Sequence, residues 1–143
     1  MSKQATCSAI ISFAEKLEDA SSKFYEKMTE TYTEGRETFQ AFVEESRKNK
    51  VLIIRTYQET ISDALEACFI QIDLSQYQYE TSLGINTTYS SALQNAIELE
   101  TKISEFYSIA AKETQHLLAT IPRILKRMAE KRNQRILELK SLL

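Results

Sequence analysis

Only two glycines (Gly35 and Gly84) and one proline (Pro122) occur among 143 residues. Sandwiches and doubly wound sheets need turn residues every dozen positions or so, and this chain does not supply them. Long uninterrupted helices remain. A chain of this length makes one domain, burying about two-thirds of its unfolded surface. Charged residues at 27% beside 43% hydrophobic mark a packed rather than a disordered protein.

Charge excludes further classes. With 18 Lys and Arg against 20 Asp and Glu, the net charge of −2 gives no global attraction to nucleic acid or anionic lipid. Cys7 and Cys68 form no CxxC pair, which argues against zinc ribbons and thioredoxin-type chemistry. They read as small core residues of a cytoplasmic chain, with a disulfide between them as the alternative. The first apolar run, Ala9 to Ala14, passes straight into Glu15, Lys16, Leu17, Glu18 and Asp19. That is an amphipathic helix rather than a leader, and no run approaches the roughly 20 apolar residues of a membrane span.

Helical spacing divides the chain. Ile10, Phe13, Leu17, Phe24, Met28 and Tyr32 mark a first helix, closed by Thr33-Glu34-Gly35 with Gly35 in the left-handed position. A second run extends from Phe39 through Ile53, Tyr57, Ile61, Leu65 and Cys68 to Ile72, long enough to invite a kink past Tyr57. Residues 73–88 lose the period and form a long connection. Helix resumes from Tyr89 to Leu118, and Thr120-Ile121-Pro122 starts a last helix, with Thr as cap and Pro in its first turn. Two hairpins joined by one long crossover give an all-α four-helix bundle. An up-down bundle is the competing topology.

The two halves repeat. FAEKLEDASSKFY (13–25) lies over NAIELETKISEFY (95–107) at an offset of 82, matching Glu18 to Glu100 and Tyr25 to Tyr107. An offset of 84 then places Asn49 over Asn133 and Ser46 over Glu130. The whole chain, 1–143, is one domain made of a duplicated hairpin, about 9–57 and 91–139.

Glu-x6-Tyr on a first helix and a four-residue motif on its partner, twice over, resembles rubrerythrins and related ferritin-like di-iron proteins. The resemblance spans about Ala9 to Leu139 and implies a ferritin-like bundle. In that family one carboxylate from each odd helix and an E-x-x-H from each even helix clamp two metals. It implies ligand positions at Glu18, Glu100 and Glu130. At the other three stand Ser46, Asn49 and Asn133, where a carboxylate and two histidines are expected. Amide and hydroxyl oxygens are weak ligands for transition metals, which argues against a peroxidase or ferroxidase centre. His116, the single histidine, falls outside the pattern.

Three inward carboxylates still need compensation. A cation with oxygen ligands, raised pKa values, a water-filled pocket or basic partners such as Lys126 and Arg127 would each provide it. The expected function is a non-catalytic structural or partner-binding role. The alternative is an altered oxygen-rich site at Glu18, Glu100 and Glu130 holding Mn, Mg, Ca or Fe, with residual oxidoreductase activity. Tyr25 and Tyr107 read as core tyrosines bonded to nearby carboxylates.

The last helix carries Arg123, Lys126, Arg127, Lys131, Arg132, Arg135 and Lys140 against Glu130 and Glu138. Such a helix can dock on phosphates, but it reads first as a solvated face, so nucleic acid is not the expected partner. Tyr77, Tyr79, Tyr89, Leu83 and Ile85 form an expected packing patch on the bundle or a second subunit. The resemblance favours a homodimer or other homo-oligomer.

Overall fold

The computed structural model describes residues 4–60, 69–77, 87–117 and 120–143. Among these residues lie four α-helices: α1 (Cys7–Thr31), α2 (Arg36–Thr60), α3 (Tyr89–Glu113) and α4 (Thr120–Leu142). Two short strands, β1 (Gln4–Thr6) and β2 (Phe69–Gln71), pair antiparallel with Ala5 opposite Ile70. Side-chain caps open two of the helices. Thr6 accepts a hydrogen bond from the Ala9 amide and Thr88 one from the Ser91 amide, satisfying amides that the first turn leaves unpaired.

Cross-helix bonds set the topology. Asn49 of α2 reaches Glu18 of α1, while Ser46 lies 3.2 Å from Ser21, so α1 and α2 run antiparallel. Glu100 meets Arg135 and Ser104 meets Asn133, giving the same for α3 and α4. Tyr25 pairs with Glu100 and Tyr107 with Glu18, so α1 and α3 are antiparallel as well. Lys131 meets Asn49 and Arg135 meets Ser46 across α2 and α4. With every neighbouring pair antiparallel, α2 ends and α3 begins at opposite ends of the bundle. The described parts of the connection are strung between those ends. β2 sits beside the start of α1, Tyr77 packs on Phe106 at 5.8 Å, and the Thr87 carbonyl accepts from the Tyr32 hydroxyl.

The second periodic run does not continue to Ile72 as a helix. Phe69–Gln71 is a strand; Ile70 within it and Ile72 just after it are buried, while Phe69 is 63% exposed. Burial at i and i+2 is a strand's period, and short apolar runs fit either template. Ile61, Leu65 and Cys68 lie outside the described residues, as do Gly84, Tyr79, Leu83 and Ile85. Tyr77 and Tyr89 pack on this chain's own bundle, Tyr89 against Tyr32 and Phe39. Cys7 is a buried core residue. Pro122 lies in the first turn of α4, and the position before Thr120 is outside the described residues.

Gly35 closes the α1–α2 turn at φ +69°, as its place after the first helix predicts. A β-carbon there would stand 2.6 Å from the Tyr89 hydroxyl and 3.0 Å from the Phe39 ring. Gly35→Ala should destabilise by about 1–3 kcal/mol through left-handed strain, read as a lower urea midpoint with an unchanged slope.

Candidate functional site

Leu17, Glu18, Ser21 and Tyr25 line one stripe of α1, and Leu99, Glu100, Ile103 and Tyr107 the equivalent stripe of α3. The stripes are helical in period, so the glutamates lie among core positions and both are essentially inaccessible. Each tyrosine serves the other half. Tyr25 donates to Glu100 Oε1 at 2.8 Å, and Tyr107 donates to Glu18 Oε2. The two Glu-x6-Tyr segments therefore build a reciprocal arrangement inside the bundle.

Two arginines of α4 complete it. Arg132 is buried and bridges the glutamates: Nη2 donates to Glu18 Oε1 at 2.5 Å, and Nη1 to Glu100 Oε1 and Oε2 at 2.8 and 3.0 Å. Nη1 also donates to Ser21 Oγ at 2.9 Å. Among the described residues, only Arg132 Nε is a buried side-chain polar atom without a partner. Arg135, one turn on, uses all three nitrogens. It donates to Glu45 at 2.8 Å, Ser21 at 3.1 Å, Glu100 at 3.3 Å, Ser46 at 3.0 Å and the Phe42 carbonyl at 3.2 Å. Its guanidinium also lies 4.9 Å from the Phe42 ring centre. Asn49 donates to Glu18 at 3.3 Å and accepts from Lys131 at 3.1 Å.

Four expected positions, Glu18, Ser46, Asn49 and Glu100, thus meet in one network. The other two do not. Glu130 and Asn133 lie on the exposed side of α4, where Asn133 accepts from Ser104 at 2.7 Å. The offset explains the error. The buried residues of α2 (Phe39, Phe42, Val43, Ser46, Asn49, Ile53) map onto those of α4 (Leu125, Met128, Ala129, Arg132, Arg135, Leu139) at 86 residues rather than 84. Arg132 and Arg135 therefore occupy the equivalents of Ser46 and Asn49, at i and i+3 on one face. Lys126 and Arg127 are exposed and compensate nothing inside.

The missed signal was periodicity. Met128, Arg132, Arg135 and Leu139 form a continuous helical stripe, which arginine hides from a reading of apolar letters. Turning these two inward also leaves Arg123, Lys126, Arg127 and Lys140 as the exposed cations of α4, with Lys131 half-buried against Asn49. Its excess charge falls accordingly, which further weakens the phosphate-docking reading. His116 lies in the turn after α3 and is exposed.

The site does not fit the metal pair that the resemblance implies. A guanidinium, which stays protonated in proteins, stands between the carboxylates where a dication would have to bind. Among the described residues no group of three or more His, Cys, Asp or Glu could hold a metal ion.

Electrostatics follow from burial and pairing. Burial alone would raise the Glu100 pKa, but the charges of Arg132 and Arg135, with the hydrogen bonds from Arg132 and Tyr25, outweigh it and hold the value below normal. Burial, and then the adjacent Glu100, push Tyr25 well above the ordinary tyrosine range, and burial with Glu18 does the same for Tyr107. For Arg132 burial works against the charge, yet Glu100 and Glu18 together raise its pKa well above normal.

Compared with known protein families, curated proteins and solved structures, the chain matches none.

Arg132→Met should leave two buried carboxylates short of a cation and cost about 3–5 kcal/mol. Adding Glu18→Gln and Glu100→Gln to it should restore much of the loss, measured by urea unfolding. Glu100 is lowered in the fold, so its contribution is complete above the ordinary value of 4.5 and disappears as pH falls through the folded value. The urea midpoint should decline below that pH, less steeply in Glu100→Gln. Tyr25 and Tyr107 are raised, so their contribution is complete below 10.0 and is lost as pH climbs beyond it. In ultraviolet titration these two tyrosines should ionise only with alkaline unfolding.

Proposed function

We infer that this chain is a ferritin-like bundle of the rubrerythrin type in which an arginine pair takes the place of the metals, and that its role is non-catalytic. The observation that carries this reading is Arg132, whose guanidinium joins Glu18 to Glu100 at the duplicated centre. Support also comes from two antiparallel hairpins whose connection runs from one end of the bundle to the other, the arrangement typical of ferritin-like bundles. The reciprocal Glu-x6-Tyr pairs fit the same reading.

The network performs no turnover in this reading. Its central groups, Glu18, Glu100, Arg132 and Arg135, are buried and bonded to one another, which leaves no open site for a substrate. What remains for function is the outside of a bundle whose helices are locked in register. A structural or partner-binding role in the cytoplasm follows, with self-association as one form of it.

Metal titration tests the reading. The purified chain, given Mn²⁺, Fe²⁺ or Co²⁺, should take up no stoichiometric ion and show no rise in melting temperature. The variant Ser46→Glu/Asn49→His/Arg132→Glu/Arg135→His restores the implied ligand pattern around Glu18 and Glu100, and should acquire Co²⁺ with a visible ligand-field spectrum. Stoichiometric uptake by the unaltered chain, abolished by Glu18→Gln and Glu100→Gln, would overturn the reading.

A further inference from the structure

On the outer side of the second hairpin, α3 and α4 line a groove of about 470 Å³. Its floor is made of small apolar groups, Ala111, Pro122 and Ala129, and its walls carry Lys112, Arg123 and Lys126. The three cations are exposed, and among the described residues none has a carboxylate within ion-pair distance. No acid lines the groove.

The duplication supplies an internal control. The first hairpin has the equivalent groove between α1 and α2, lined by Glu26, Glu30 and Glu44, with Arg47 already paired to Glu26. Lys112 stands where that groove has Glu30, and Lys126 where it has Gln40. Matching backbones thus carry grooves of opposite sign, so the basic character belongs to the surface residues and is no consequence of how the hairpin packs.

We propose that the α3–α4 groove docks an acidic, amphipathic peptide segment of a partner protein. Small apolar side chains of the segment would seat on Ala111, Pro122 and Ala129, while its carboxylates pair with Lys112, Arg123 and Lys126. Charge complementarity selects the sign of the partner, and the apolar floor selects its class. A nucleic-acid backbone would satisfy the cations but leave the floor uncovered, and no aromatic ring lines the groove for a base to stack on. The inference rests on the partner-binding role above and names the partner's chemistry.

Fluorescence anisotropy tests it, with a labelled helical peptide carrying one face of Glu and one of Ala and Leu. The intact chain should bind it in a salt-sensitive manner. Lys112→Glu/Arg123→Glu/Lys126→Glu should weaken binding roughly ten- to a hundredfold, and replacing the peptide's Glu by Gln should do the same. These exposed substitutions leave the buried network untouched, and an unchanged melting temperature checks that. Ala129→Arg, which blocks the floor without removing a cation, should also abolish binding; if it alone unfolds the chain, Ala111→Gln replaces it.

Three outcomes would overturn the proposal: no peptide binding, binding unaffected by charge reversal, or binding unaffected by blocking the floor. Equal or tighter binding of a DNA duplex or an RNA strand with the same variant sensitivity would reassign the groove to nucleic acid. Sedimentation showing a dimer dissolved by the charge reversal would assign it to a second copy. Metal indifference measured on the same sample separates failure of the groove from failure of the core reading.

Discussion

A buried guanidinium bonded to two buried carboxylates is the constraint on which the bundle depends. Taking any one of these charges out of water is costly, and only close pairing of opposite signs returns the energy. Arg132 meets that demand for Glu18 and Glu100 together, and Arg135 adds a second positive charge bonded to Glu100 and to Glu45 at the rim. The pairing draws on α1, α2, α3 and α4 at once. A slide of any helix by one turn would strand a charge, so the network sets register more than it adds net stability.

The same arrangement accounts for the tyrosines. A carboxylate has more acceptor sites than one arginine fills, and Tyr25 and Tyr107 supply the remaining donors from the opposite half. Each ring meanwhile packs as core: Tyr25 lies against Phe24 and Phe42, Tyr107 against Phe106. Hydroxyl and ring thus tie the polar centre to the apolar layers around it, a fully satisfied polar network apart from Arg132 Nε. Serines fit the same logic. Ser21 and Ser46 are small enough to admit two long arginines; Ser21 accepts from both, and Ser46 from Arg135.

Much of this was legible from residues in order. The glycine and proline shortage, the periodic stripes and the Glu-x6-Tyr repeat indicate four helices, the Gly35 turn and the inward Glu18 and Glu100; the third helix ends at Glu113 rather than Leu118, and the second run does not reach Ile72 as helix. Two features escape a reading by apolar letters. A period of 3.6 counted on apolar residues makes two arginines on a core stripe look like surface, so an offset of 84 puts Glu130 and Asn133 where an offset of 86 puts Arg132 and Arg135. Strand β2 reads as helix because three apolar residues in four satisfy both periods.

The amino-acid order alone determined that the chain is helical, that it repeats, and that carboxylates must be compensated inside it. Those properties follow from local spacing and from the cost of burying charge, neither of which needs a partner helix to be known. Which cations compensate was decided only when four helices came together. An arginine's solvation depends on the faces packed against it, and those faces lie about thirty to more than a hundred residues away along the chain. The groove signs were likewise open until packing placed Lys112 of one helix beside Arg123 and Lys126 of the next.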